Sequence, residues 1–360
     1  YELSQVPHLA VTVFDRRRPE TWEATGAALG VLIAALSWKL KGLNLQLRAA
    51  SLKRYETLVP ELEVLTGAKI PFNQQGILRL CFDDAELIQW QKLAAARSSQ
   101  GFPLQILGVD EVSARYPSIR CASNLETQRP FIGAVYSPQD RQVDPVALSQ
   151  ALIRAAQCRG ALFHFGTQVQ GFTWATRQEN RQVEQIQTDA GDFPVDWLVL
   201  ASGLGSTLLS TTLQQPLNIQ PVLGQALHLR LGQPLAQLYP VIQGAEVHLV
   251  PVNATELWVG ATVEFPADEQ SAARLQPSFQ KLEVVRQQAI ALCPALADAV
   301  TIRTWSGLRP RPQGRPAPVI NPLPGYRNVL LATGHYRNGV LLAPVTAEKI
   351  RELITLLSAE

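Results

Sequence analysis

Between two apolar runs, the segment ATGHYRNGVLLAP (residues 332–344) sets His335, Tyr336, Arg337 and Asn338 between Gly334 and Gly339. Buried polar groups are costly unless paired, so such an interruption asks what these four residues bind. A second segment, SGLRPRP (306–312), holds Arg309 close to a glycine and next to a proline. A guanidinium fixed in this way suits bidentate capture of a carboxylate; a surface ion pair is the other reading. Asp15 closes the run LAVTVFD. That is where α/β dinucleotide folds place an acid for the adenosine ribose, and a solvated turn is the alternative. Arg16, Arg17 and Arg18 follow it and suit either a 2′-phosphate or a basic surface turn. Thr25 to Val31, TGAALGV, offers small side chains and free amides at a helix start. These admit a flat ring or a phosphate, or serve tight packing between elements. His248, in VHLVPV, is a pocket residue or a paired strand histidine.

The elements that must position these groups follow from pattern. LAVTVFD (9–15) reads as a short buried strand ending on its carboxylate. ATGAALGVLIAALSW (24–38) reads as a buried helix, opening a helical stretch to about residue 57. Residues 76–81 form a strand, AELIQWQKLAAARSSQG a helix stopped at Gly101, and DEVSARYP a short helix. Residues 133–166 read as strand, turn, helix and strand, with Asp144 as N-cap, Pro145 in the first turn and Gly160 at the end. Residues 183–203 give a hairpin and then an apolar strand ending at Ser202. From Gln220 to Phe265 the period becomes two, the mark of an antiparallel sheet. Residues 271–296 read as a helix, 309–318 as a stiff proline-rich loop, GYRNVLLATG as a buried strand, and PVTAEKIRELITLLSAE as the terminal helix.

Composition excludes several classes. With 32 basic and 30 acidic residues mixed along 360, the net charge of +2 gives no field to hold nucleic acid or anionic lipid. The four cysteines form no CxxC, and no histidine stands at metal-ligand spacing, which argues against a metal site or a disulfide framework and for a reducing cytoplasm. No apolar stretch is long enough for a bilayer span. The chain holds no methionine and opens on YELSQ, which reads as the end of a helix whose front is missing.

VTVFDRRRP, ATGAALGVL, QVDP (142–145), VLASG, WVGATVE, SGLRPRP and GHYRNGVLLAP stand in the order found in the glycine oxidase and D-amino-acid oxidase family of flavoproteins, which the sequence resembles over nearly its whole length. The last two motifs resemble the glycine oxidases most. The resemblance implies non-covalent FAD, with Asp15 and Arg16 near the adenosine ribose and Ala24 and Thr25 near the phosphates. Leu29, Gly30 and Val31 would lie beside the flavin, Val169 at the adenine, and Gly307 with the loop His335, Tyr336, Arg337, Asn338, Gly339, Val340 and Leu341 around the isoalloxazine. It also implies that Arg309 binds the substrate carboxylate, that Arg337 shares its site, and that the polar segment opens the terminal helix, whose dipole favours negative charge on the flavin.

The implied fold is α/β, a Rossmann-like FAD domain (1–75, 143–212 and 308–360) whose first strand and GxGxxG loop are missing, with a second, mostly antiparallel α+β substrate domain (76–142 and 213–307). The implied reaction oxidises the amine of glycine or another small amino acid to an imine, with oxygen as acceptor and hydrogen peroxide as product, feeding thiamine biosynthesis. Two alternatives stand beside it: a family dehydrogenase that passes electrons to a quinone, and a truncated, flavin-free protein. A homo-oligomer is compatible with all of these.

Overall fold

The computed structural model describes residues 1–360 apart from 39–40, 121–129, 178, 236, 238, 245, 267–276 and 359–360. Its largest sheet has eight strands, in the order Val300–Pro312, Ile219–Arg230, Glu256–Gly260, Val247–Pro251, Val241–Gly244, Ile77–Cys81, Gly133–Ser137 and Gln105–Leu107. Neighbours are antiparallel except Val241–Gly244, which runs parallel to Ile77–Cys81. The period-two pattern has its cause here. Leu227, Leu229, Val247, Leu249, Leu257 and Val259 point to one face, where Leu282, Val285, Ala289 and Leu292 of the helix Phe279–Leu292 cover them. The intervening residues Val241, Val250 and Trp258 point to the other face and meet Leu29, Val31, Ile33 and Leu36.

The rest of the chain builds smaller sheets and helices. Thr12–Asp15 runs parallel to Leu162–Phe165, and Leu198–Leu200 runs parallel to Val329–Thr333. Val169–Arg177, Asn180–Thr188 and Gly191–Pro194 form an antiparallel meander. The helices Leu43–Thr66, Pro145–Cys158 and Gly339–Leu357 share one core, in which Leu52, Tyr55 and Leu62 meet Leu148, Ala151, Leu341 and Leu342. Asp144 caps Pro145–Cys158 as expected, its carboxylate accepting from the amides of Val146 and Ala147.

Four sequence readings need correction. Residues 9–15 are not a buried strand: the strand is Thr12–Asp15, exposed at Thr12 and half-buried from Val13 to Asp15, in a two-stranded sheet with Leu162–Phe165. Residues 24–38 are not one buried helix: Ala24–Ala27 makes a single turn, Val31–Leu32 is a strand, and the long helix runs from Leu43 to Thr66. The cause is Gly30, whose φ of +71° leaves the helical region and lets its backbone lie so close to Val143 that a Cβ would fall 1.8 Å from the Val143 carbonyl oxygen. Arg309–Pro312 is not loop but the end of the edge strand Val300–Pro312, since proline is tolerated where its missing N–H faces away from the neighbour. The helix read over 271–296 begins at Phe279, with residues 271–276 outside the described ones.

Candidate functional site

The second face of the large sheet carries a low floor. Trp305, Ala226, Gly260, His248 and Gln243 are successive cross-strand partners, and Gly307 faces Gly224 one step along. Cross-strand partners share a face, so Gly307, Gly224, Ala226 and Gly260 line up as a patch almost without side chains. The short helix Ala24–Ala27 is seated on its edge. A Cβ at Gly307 would come within 2.2 Å of the Ala27 Cβ, and Trp305 Nε1 donates to the Ala27 carbonyl at 3.2 Å.

Arg309 follows Gly307 on the same face and reaches back over the floor. Its Nη1 donates to the Leu223 and Thr262 carbonyls, each at 3.2 Å. Burial, with Arg337 second, lowers its pKa. Glu264, the acid that acts on it through space, is held by Lys281. No described carboxylate forms an ion pair with Arg309. A half-buried guanidinium whose described hydrogen-bond partners are carbonyls keeps a charge that Glu264 offsets only from a distance, because arginine does not deprotonate in proteins. It therefore favours an anion at its remaining N–H groups.

The polar segment packs beside the same edge strand, with Gly334 against Pro312. The strand Val329–Thr333 delivers Gly334, Tyr336–Asn338 forms one 3-10 turn, and the helix Gly339–Leu357 begins at once. Asn338, at the N-cap, makes no capping hydrogen bond with its side chain, so the amides of the first turn are left for another acceptor. The Thr346 hydroxyl donates to the Leu342 carbonyl and so accepts from His335 Nε2 at 2.9 Å, which fixes the ring tautomer. Burial pushes His335 down to about 4. Tyr336 adopts φ +52° and lies under the guanidinium of Arg311. Arg337 is exposed and acts through space on Arg309, His248 and Arg48. Val340 accepts from the Tyr55 hydroxyl at 2.6 Å, and Leu341 is buried. Arg309, Arg337 and His248, far apart in sequence, thus face one positively charged space. His248 is neutral there, pushed down to about 4 by burial and then by Arg337 and Arg79.

The segment between helix turn and floor is clamped by the first two residues of QVDP and by Asp140, which no motif announces. Gln142 Nε2 donates to the Leu29 carbonyl, the Val143 amide donates to the Gly30 carbonyl, and Val31 pairs with Gln142. Asp140 accepts the amides of Ala34 and Ala35 on Oδ1 and of Leu36 on Oδ2, at 2.7 to 3.0 Å. Its carboxyl is fully buried, and burial raises its pKa against the opposing pull of those amides. In sequence Asp140 is only an acid in a turn between two strands.

Asp15 and Arg16 lie at the far end. Partial burial works to raise the Asp15 pKa, but hydrogen bonds from the Arg17 side chain and amide hold it below the usual range. Arg16 reaches Glu23 at 3.3 Å. Ala24 and Thr25 start the short helix, and Val169 opens the meander, half-buried. A separate cleft of about 450 Å³ opens beside Gly26 and Ala28 between Trp22, Trp258 and Trp305, and does not include Arg309, Arg337 or His248. Among the described residues no cluster could hold a metal ion, and no helix is long and apolar enough to cross a membrane.

A floor with a patch almost without side chains, a helix start uncapped by a side chain and a guanidinium with no paired carboxylate among the described residues together suit a flat, electron-accepting ring with a small carboxylate beside it. Residues 1–353 match the family model described as FAD dependent oxidoreductase, DAO. The chain is 34% identical over 352 residues to the "Bifunctional protein ThiO/ThiG" of Synechocystis sp., covering 96% of this chain and 48% of that relative, so it spans about half the relative's length. It is 27% identical to a glycine oxidase of Bacillus licheniformis, covering 92% of this chain and 83% of the other. The crystal structure of glycine oxidase from Geobacillus kaustophilus superimposes with a TM-score of 0.84 at 26% identity, covering 98% and 90% of the two chains.

Proposed function

Because the chain belongs to the DAO family of FAD-dependent oxidoreductases, we propose that it oxidises the amine of glycine or another small amino acid to an imine, which water converts to an oxo acid and ammonia. The observation that carries this reading is Arg309, half-buried at the edge of the floor with carbonyls for partners and no carboxylate paired to it among the described residues. In this reading the substrate carboxylate takes the guanidinium, Arg337 adds charge from the neighbouring polar segment, and the α-carbon is held over the floor. The bound FAD supplies the acceptor for the hydride that leaves this carbon.

The chain's own contribution is orientation more than acid–base chemistry. Effective positioning alone is worth about 7–11 kcal/mol where reacting atoms are held in near-attack geometry. His248 and His335, neutral above about pH 5, add no competing positive charge and act as hydrogen-bonding groups. For the cofactor we assign Leu29, Gly30, Val31, Gly307 and His335 to Leu341 to the ring, Ala24 and Thr25 to the phosphates, Asp15 and Arg16 to the ribose, and Val169 to the adenine. The helix start at Gly339, uncapped by a side chain, then favours the negative charge that reduction brings.

We further propose oxygen as the electron acceptor, hydrogen peroxide as product, a cytoplasmic setting and a supply role for thiamine biosynthesis, the last suggested by the ThiO/ThiG name of the Synechocystis relative. The domain division is proposed at 1–75, 143–212 and 308–360 for the cofactor and 76–142 and 213–307 for the substrate, consistent with the eight-stranded sheet drawing most of its strands from the second set. The test is an absorbance spectrum of the purified chain with FAD, followed by anaerobic glycine and a small amino-acid panel. Flavin bands that bleach with an amino acid and return with air, with peroxide released, support the reading. Bands that no amino acid bleaches would end it.

A further inference from the structure

Gln243 sits on the floor in register with His248 on one side and Arg79 on the other. Arg79 is engaged by Glu86 and lies over the ring of Trp90. The Gln243 side-chain carbonyl is different: Oε1 is buried and has no hydrogen-bond partner among the described residues. A buried acceptor without a donor is unfavourable in a folded chain, so such a group on a binding surface marks a place where a ligand brings the donor.

Its distance from Arg309 says which part of a ligand that is. The guanidinium lies over Gly224, between the Leu223 and Thr262 carbonyls, at the end of the strand Glu256–Gly260. Val241–Gly244 lies two strands further across the sheet, with Val247–Pro251 between. Gly224 itself is a third strand away, and two to three strand spacings are about 10–14 Å. A carboxylate on Arg309 therefore leaves its own α-amine well short of Gln243. Only a group beyond the α-carbon and nitrogen of glycine can cross the remaining space.

Resting on the carboxylate role of Arg309, we propose that Gln243 is a specificity-determining residue: Oε1 accepts a hydrogen bond from an O–H or N–H at the distal end of the substrate. The preferred substrate class is then an amino acid whose side chain or N-substituent ends in such a donor. His248, neutral and next in register, lines the path between the two ends.

The experiment compares pairs of equal shape that differ in one hydroxyl: N-(2-hydroxyethyl)glycine against N-propylglycine, and D-homoserine against D-norvaline. For each pair the ratio of kcat/KM is measured in the FAD-loaded chain, in Gln243→Met and in Gln243→Glu, each variant first checked for its flavin spectrum. A ratio of tenfold or more in favour of the hydroxyl compound in at least one pair, falling to near one in Q243M and kept in Q243E, supports the assignment. Ratios near one in the unmodified chain, or a preference that survives Q243M, overturn it. If glycine reduces the flavin while the ratios stay at one, this inference alone falls. If no amino acid reduces the flavin, the proposed function falls first.

Discussion

The guanidinium of Arg309 occupies the space where Gly224 has no side chain: a Cβ at position 224 would lie 2.2 Å from Nη2 and 2.4 Å from Cζ. The arginine depends on the glycine for its position. Gly224→Ala is therefore expected to push the guanidinium off the Leu223 and Thr262 carbonyls and raise KM for small amino acids, while the flavin spectrum persists. A KM equal to that of the unmodified chain would show that the guanidinium does not need this seat.

Arg309→Lys keeps the charge but loses the planar fork. One charge-assisted hydrogen bond is worth roughly 1.5–3 kcal/mol, so kcat/KM for the best amino acid is expected to fall about ten- to a hundredfold, and further in Arg309→Ala. Stopped-flow reduction of the bound flavin separates binding from hydride transfer. Saturation at an unchanged substrate concentration would remove Arg309 from the site.

Gly307→Ala attacks the seat of the short helix, because the new methyl would meet the Ala27 Cβ at 2.2 Å. Overpacking of this kind costs about 1–3 kcal/mol. Since Ala24, Thr25 and Leu29 to Val31 are assigned to the cofactor, the expected result is weaker FAD affinity, measured by fluorescence titration, with a smaller loss of Tm in the FAD-free protein. Unchanged FAD affinity would separate the floor from the cofactor.

Stability should fall with acid below neutrality. His335 and His248 have folded pKa values of about 4 against an ordinary 6.5, so between these values the unfolded chain binds more protons than the folded one. By linkage, stability rises with pH through this window and gains nothing more from these groups above it. The Tm is expected to drop by several degrees from pH 7 to pH 5, less steeply in His335→Gln. A slope unaltered by that substitution would exclude His335 as a contributor.

Asp140→Ala strands three buried amides, those of Ala34, Ala35 and Leu36. Each unsatisfied buried group costs about 1–3 kcal/mol before relaxation. The expected outcome is a loss of several kcal/mol in urea unfolding, with slower or weaker FAD uptake because the chain beside Leu29 to Val31 loses its clamp. A loss under 1 kcal/mol would mean that water replaces the carboxylate.

The order of motifs points to the FAD-dependent family, whose resemblance implies the α/β fold, and the antiparallel sheet follows from the change of period near Gln220. Strand alternation and the Asp144 cap are local consequences of side-chain chemistry, so they were readable. The break at Gly30 was not, because its cause is the carbonyl of Val143, more than a hundred residues away. For the same reason Arg309 read as loop and proved to be strand, since its partner Val222 is remote in the chain.

Sequence by itself determined which residue types exist to do chemistry: Arg309 between a glycine segment and a proline, a polar segment before an apolar helix, an acid at the end of the strand closing on Asp15. Tertiary structure alone decided which of them meet. It set Arg309 over Gly224, brought Arg337 and His248 to the same space, tied Asp15 to Arg17, and left the Gln243 carbonyl without a donor. The physical reason is that burial and cross-strand register are properties of pairs of distant segments, and the charge state and free valence of a side chain depend on both.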